Sequence, residues 1–145
     1  VWGGFRVARR AKVFKCKEQQ QNNNITLSAF HNGYHRIKGK PTHFRKWQFS
    51  NQLLLVEDLI TGKGEHEVDV IFLLHPQINI FETNNNKIIL NVFGKKVNLN
   101  FEGKGFLEVE KSSYHPEFGI SIENFKIHYR ITEALPIKVT TRISW

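Results

Sequence analysis

Residues 67–103, EVDVIFLLHPQINIFETNNNKIILNVFGKKVNLNFEG, alternate apolar and polar side chains with period two and are broken by turn formers. Pro76 stops the first apolar run, Asn84, Asn85 and Asn86 separate QINIFET from KIILNVF, and Gly94 opens the link to VNLNFEG. In that last run Val97, Leu99 and Phe101 share one face, while Asn98, Asn100 and Glu102 take the other. Successive side chains of a strand point to opposite faces, so this alternation is what half-buried antiparallel strands need. Asn tolerates the left-handed backbone of tight turns, which suits the three asparagines to a hairpin.

The same pattern extends in both directions. Upstream, FRVARRAKVFK reads as a strand with Phe5, Val7 and Arg9 on one face, and KEQQQNNN (residues 17–24) reads as a polar loop with nothing to bury. ITLSAFH sets Ile25, Leu27 and Ala29 against Thr26, Ser28 and Phe30. HFRKWQFS sets Phe44 and Lys46 against Arg45, Trp47 and Phe49. QLLLVEDLI is almost continuously apolar and fits a strand covered on both sides, with a turn at Gly62–Gly64. Downstream, GFLEVEKSS, GISIENFKIHYRIT and PIKVTTRISW continue as a meander. No segment sustains a helical period, and no repeat of 20–50 residues is evident. The expected fold is an all-β antiparallel β-sandwich of about ten strands, forming a single domain over residues 1–145.

Composition narrows the class. The chain has 145 residues, 40% hydrophobic and 23% charged, with 12 Phe and 3 Trp, which is enough to build a core and argues against disorder. No apolar run reaches the 18 or so residues of a membrane helix, so no membrane partner is expected. The chain opens at Val1 and has no Met, so it reads as a piece of a longer protein with no visible signal peptide and an unknown compartment. Cys16 stands alone, which excludes an internal disulfide and a cysteine-based zinc site. The net charge of +8 is unevenly spread. Residues 1–50 carry 11 basic side chains against Glu18, whereas residues 51–145 carry 10 basic and 12 acidic ones. A basic excess confined to the first third points to one local anionic contact or docking face.

The densest chemistry is HNGYHRIKGKPTHFRKW, residues 31–47. Its guanidinium forks suit carboxylate or sulfate, and its aromatic rings suit sugar faces. The plainer alternative is a hairpin with a basic solvated face and with Trp47 and Phe49 in the core. His31, His35 and His43 are separated by Gly33 and by the Gly39–Pro41 turn, so convergence on a metal is not expected. Glu57, Asp58, Glu65, Glu67 and Asp69 read as a solvated acidic turn without a calcium-loop pattern. No GxSxG, Walker A, GxGxxG, HExxH or CxxC motif is present.

Three ordered stretches resemble the C-terminal β domain of heparinase II/III-like polysaccharide lyases. These are VWGGFRVARRAKV (residues 1–13), HNGYHRIKGKPTHFRKWQF with the following LLLVEDLITGKGEHEVDVIFLLHP, and SYHPEFGISIENFKIHYRITEALPIKVTTRI. The resemblance implies a parent enzyme with an N-terminal α/α toroid, missing here, that cleaves acidic, uronate-containing polysaccharide by β-elimination. Such chemistry must neutralise the uronate carboxylate, stabilise the enolate, remove the C5 proton and protonate the leaving O4. In the family those groups, and a zinc site built on His-x-His followed by Asp, lie upstream of the pattern seen here. HNGYHR does not match it, so the resemblance implies no catalytic residue, no metal and no cofactor within this chain, although the parent would hold zinc.

The expected role is therefore a non-catalytic sheet domain that supports the active-site sheet and lines the substrate path. Arg6, Arg9, Arg10, Arg36, Arg45 and Lys46 are the candidate basic wall, with His31 and Tyr34 as sugar contacts. The expected partners are the acidic polysaccharide and the missing toroid, and a typical family member would be periplasmic or extracellular. A free-standing carbohydrate-binding module is the main alternative. Nucleic acid fits poorly, because the RNA-binding aromatic-basic sheet motifs are lacking.

Overall fold

The computed structural model describes residues 10–145, and every regular element among them is a strand. Eleven strands form: β1 (Val13–Gln21), β2 (Asn24–His31), β3 (Thr42–Ser50), β4 (Leu53–Thr61), β5 (Glu65–Leu73), β6 (Asn79–Asn84), β7 (Lys87–Val92), β8 (Lys95–Glu102), β9 (Phe106–Tyr114), β10 (Ile122–Ala134) and β11 (Ile137–Ser144). They build an eight-stranded sheet of order β1-β2-β3-β4-β11-β8-β7-β6 and a three-stranded sheet of order β5-β10-β9. All pairings are antiparallel. The all-β antiparallel sandwich expected from the alternation is the fold, with eleven strands where about ten were expected.

The path is not a simple meander. The chain crosses between sheets after β4, β5, β8 and β10, and β11 inserts between β4 and β8. A strand with one apolar face can bury it only against a second sheet, which is what each crossing achieves. Val70 and Leu74 at β5, with Ile127, Tyr129 and Ile131 of β10, face Ile88 and Leu90 of β7, Leu99 and Phe101 of β8, and Ile137 and Val139 of β11. Phe101 and Tyr129 stack with ring centroids 4.9 Å apart at the centre of this core. Each such side chain contributes about 1.5–3 kcal/mol when fully buried.

The core is off-centre. None of its residues belongs to β1, β2 or β3, so these strands form a wing that extends beyond the small sheet. On the wing's inner face Leu27, Phe49 and the chain-end Trp145 remain exposed, and Phe49 stacks on Trp145 at 6.0 Å. Trp47 and Phe49 thus lie outside the core that the plainer reading gave them.

Two local expectations change. Residues 17–21, read as loop, belong to β1, and only Asn22 and Asn23 turn. All nine β1 residues are exposed, so backbone pairing with β2, helped by Phe14 stacked on Phe30 at 5.2 Å, holds the strand in place of burial. β4 is well buried only at Val56, Asp58 and Ile60, the side facing inward, so it is not equally covered on both faces. Of the strand expected from Phe5 onward, the described residues enter β1 at Val13, with residues 10–12 outside it. Its residues before Arg10 lie outside the described range.

Candidate functional site

Where β5 runs past the wing, a cleft of about 340 Å³ opens between the sheets. Its floor is His43 and Arg45 of β3 with Asp58 and Ile60 of β4. Tyr34 and Ile37 of the β2–β3 connection form one wall, and His66, Val68 and Val70 of β5 form the other. Strand alternation puts His43, Arg45 and Trp47 on one face, and register places Arg45 opposite Asp58 and His31 opposite His43. The connection is clamped by the Lys63 N–H donating to the Gly39 carbonyl at 3.2 Å. Gly39 has φ of +83°, and a Cβ there would collide with the Lys63 carbonyl. Only glycine combines that backbone with that approach.

The floor is a hydrogen-bond relay whose direction is set at both ends. The Gly33 N–H donates to His31 Nδ1 at 3.2 Å, His31 Nε2 meets His43 Nδ1 at 3.1 Å, and His43 Nε2 meets Asp58 Oδ1 at 2.6 Å. A backbone N–H can only donate and a carboxylate can only accept, so both imidazoles carry their proton on Nε2. Arg45 completes the site with Nε donating to Asp58 Oδ1 at 2.6 Å and Nη2 to Oδ2 at 2.9 Å. This two-pronged geometry is the strongest ordinary pairing of a guanidinium.

Asp58 is 1% exposed. Burial alone would raise its carboxyl, but hydrogen bonds from His43 and Arg45 and the charge of Arg45 outweigh that and hold it below its ordinary value. His31 is also lowered, first by burial and then by His43 and Arg45. The floor is therefore built to keep a carboxylate charged beside two imidazoles of fixed tautomer. Asp58 is thus a buried member of this relay and not part of a solvated turn. Glu57, its neighbour in sequence, lies on the opposite face between Lys46 at 3.5 Å and Lys138 at 3.2 Å.

The sequence-derived candidates do not form one surface. His31 and Arg45 belong to the relay, and Tyr34 stands over it with its ring 5.2 Å from that of His31. Arg45 also lies 5.9 Å from the Trp47 ring. Lys46 points to the other side of the sheet. Arg10 and Arg36 are exposed, the first before β1 and the second in the turn after β2. Arg6 and Arg9 lie outside the described residues. The three histidines do not converge, since His35 turns away to Thr42 Oγ1 at 2.8 Å. Asp58 was missed as a site residue, although alternation with Val56 and Ile60 marks it as inward-facing.

A model of the family described as Heparinase II/III-like, C-terminal matches residues 1–145. No curated protein gives a significant match. Among solved structures, the heparan sulfate lyase HepC from Pedobacter heparinus is similar with a TM-score of 0.77 at 15% identity, and a mutant of it with 0.79 at 16%. A heparinase III gene product gives 0.75 at 14%. Each match covers 92% of this chain and 21% of the solved one, so the chain spans about a fifth of their length. At these identities the likeness shows the fold.

Proposed function

Since this chain belongs to the heparinase II/III-like C-terminal family, we propose that it is the non-catalytic β domain of a larger polysaccharide-lyase-like enzyme. In this reading the parent cleaves an acidic, uronate-containing polysaccharide by β-elimination, and an α/α toroid precedes the residues seen here. The observation that carries the reading is the family match along the whole chain together with a span of only 21% of the solved lyases it resembles. The lopsided sandwich supports it. An inner wing face bearing Leu27, Phe49 and Trp145 suits packing by the remainder of the parent.

The relay suits a supporting role better than proton abstraction. Its carboxylate is already satisfied by Arg45 and His43, so no free base faces the cleft from Asp58. Arg45 is neutralised in the same way, which leaves the contact with an anionic polymer to the exposed cations Arg10 and Arg36 and to Arg6 and Arg9 of the same segment. Tyr34, on the wall of the cleft, and His31, whose ring lies 5.2 Å from it, are the proposed sugar contacts. A free-standing carbohydrate-binding module is the second reading, favoured by the half-exposed Phe49–Trp145 stack.

The test is to incubate the isolated chain with heparan sulfate, chondroitin sulfate and alginate and follow the ultraviolet absorbance of the 4,5-unsaturated product. No turnover is expected, and steady product formation would overturn the non-catalytic assignment. Binding of the same polymers by the isolated chain with an affinity unchanged in an R10A/R36A variant would overturn the basic contact.

A further inference from the structure

The outer face of the small sheet carries a second polar constellation that the cleft does not use. β10 is its central strand, and alternation turns Ile127, Tyr129 and Ile131 to the core while Lys126, His128 and Arg130 face outward. Register brings carboxylates to both flanks: Glu108 opposite His128 and Glu110 opposite Lys126 on β9, and Asp69 opposite Arg130 on β5. Donor atoms of Glu108, Glu110 and His128 all lie within 4.8 Å of one another.

Two cations account for part of this charge. Lys126 Nζ takes Glu110 Oε2 at 2.7 Å, and Arg130 Nε takes Asp69 Oδ1 at 2.9 Å. They leave Glu108 outside any ion pair among the described residues and the other Glu110 oxygen with only the imidazole beside it. His128 is only 5% exposed, yet its Nε2 has no hydrogen-bond partner, standing 3.3 Å from Asp69 Oδ2 without the geometry of a bond. Its Nδ1 lies 3.4 Å from Glu110 Oε1 and 3.5 Å from Arg130 Nη2. Charge-assisted bonds of this kind ordinarily close to about 2.7–2.9 Å. A buried imidazole with no bond at Nε2 and only long contacts at Nδ1, between carboxylates, needs an explanation.

We propose that His128, Glu108 and Glu110 form a binding site for a divalent transition-metal cation such as Zn²⁺. Tetrahedral zinc holds its donors at about 2.0–2.2 Å, which sets neighbouring donors about 3.3–3.5 Å apart. The 3.4 Å between His128 Nδ1 and Glu110 Oε1 is such an edge. Glu108 is exposed and its side chain is free to swing onto the third corner, with water at the fourth. Lys126 on the second oxygen of Glu110 then orients the ligand, as outer-sphere partners do. The charges agree, because Glu67, Asp69, Glu108 and Glu110 face only Lys126 and Arg130, a surplus of two negative charges. The three donors come from β9 and β10 alone, so the site needs no residue from outside this chain.

The test uses the 145-residue chain, stripped with a chelator and titrated with Zn²⁺ by calorimetry, with Co²⁺ absorption as a geometric readout. One-to-one binding is expected, with tetrahedral Co²⁺ bands and a melting temperature that rises with Zn²⁺ concentration. Glu108→Gln, at the exposed rim, should weaken binding at least about tenfold, since losing even an outer-sphere partner costs about 10–100-fold. Glu110→Gln should do the same, and His128→Gln should abolish binding wherever it folds. A H35Q variant, at an exposed imidazole outside both constellations, controls for stray histidine binding and should bind normally. Absence of Zn²⁺ binding up to millimolar concentration, wild-type affinity in both glutamate variants, or loss of binding in H35Q would each overturn the site.

Discussion

His43 Nε2 lies 2.6 Å from Asp58 Oδ1, and the same oxygen receives Arg45 Nε at 2.6 Å, so one buried carboxylate ties β3 to β4 through two side chains of a single strand face. The pair His43 and Arg45 is spaced by two residues, the strand period, which lets both reach Asp58 from the opposite strand. Because Asp58 must accept, His43 must donate from Nε2 and accept at Nδ1, and this in turn orients His31. A single carboxylate thereby determines the protonation pattern of the cleft floor.

Asp58→Asn is the direct probe of that relationship. The amide cannot accept from Arg45 at both positions, and it leaves a guanidinium without its counter-charge in a partly buried place. Breaking a buried pair on one side typically costs about 3–5 kcal/mol. Arg45 is 34% exposed, which softens the loss to roughly 2–4 kcal/mol after allowance for screening. Urea unfolding should show the midpoint falling with little change in slope. A loss under about 0.5 kcal/mol, the range of ordinary surface substitutions, would mean that the relay does not hold the wing to the sandwich.

Stability should fall in two stages on acidification. His31 has a folded value below its ordinary 6.5, so below that pH the unfolded chain binds a proton that the folded chain resists. The stabilisation is complete above pH 6.5 and is lost as pH falls through the folded value of His31. Asp58 is depressed below 3.8, so its contribution is complete above that pH and is lost only in stronger acid, through its own folded value. Unfolding midpoints measured from pH 8 to pH 3 should decline first in the mildly acidic range. A H31Q variant should lack that first decline, and an unchanged profile in the variant would assign it to another group.

The faces of β2 and β3 were legible in the sequence because alternation alone sets them: Arg45, Trp47 and Phe49 inward, Phe44 and Lys46 outward. β1 was legible only in part. Residues 17–21 bury nothing, and a stretch held by backbone pairing alone leaves no apolar pattern to read. Asp58 was grouped with Glu57 by nearness along the chain, although strand neighbours face opposite ways. His128 was overlooked because its carboxylates come from β9 and β5, about 20 and 60 residues away, and register is not written locally. The same limit hid the insertion of β11 between β4 and β8.

Gly39 and Gly94 make a matched pair for the clamp beneath the cleft. Their φ angles are +83° and +84°, so an alanine pays the same left-handed backbone cost at either site. At Gly94 nothing lies within 4 Å of the new Cβ, whereas at Gly39 it meets the Lys63 carbonyl. Gly94→Ala should cost about 1 kcal/mol, the backbone term alone. Gly39→Ala should cost at least twice that and speed amide exchange at Lys63, whose N–H donates to the Gly39 carbonyl. Equal losses in denaturant titrations would show that the 33–41 connection moves aside freely.

Tyr129 offers a test of how the small sheet is locked to the large one. Its ring is fully buried against Phe101, and its hydroxyl leaves the core to serve the β8–β9 turn. There it donates to the Gly103 carbonyl at 3.0 Å and accepts from the Gly105 N–H at 3.1 Å. Tyr129→Phe keeps the packing and removes both bonds, stranding two backbone groups in a half-buried turn. A lost hydrogen bond costs about 0.5–1.5 kcal/mol net, and an unsatisfied buried partner about 1–3 kcal/mol. The variant should therefore lose roughly 1–3 kcal/mol, with faster hydrogen exchange at Gly105 while amides paired between β4 and β11 keep their protection relative to global stability. Fully retained stability would mean that water satisfies the turn as well as tyrosine does, and that the sheets are joined by their apolar faces alone.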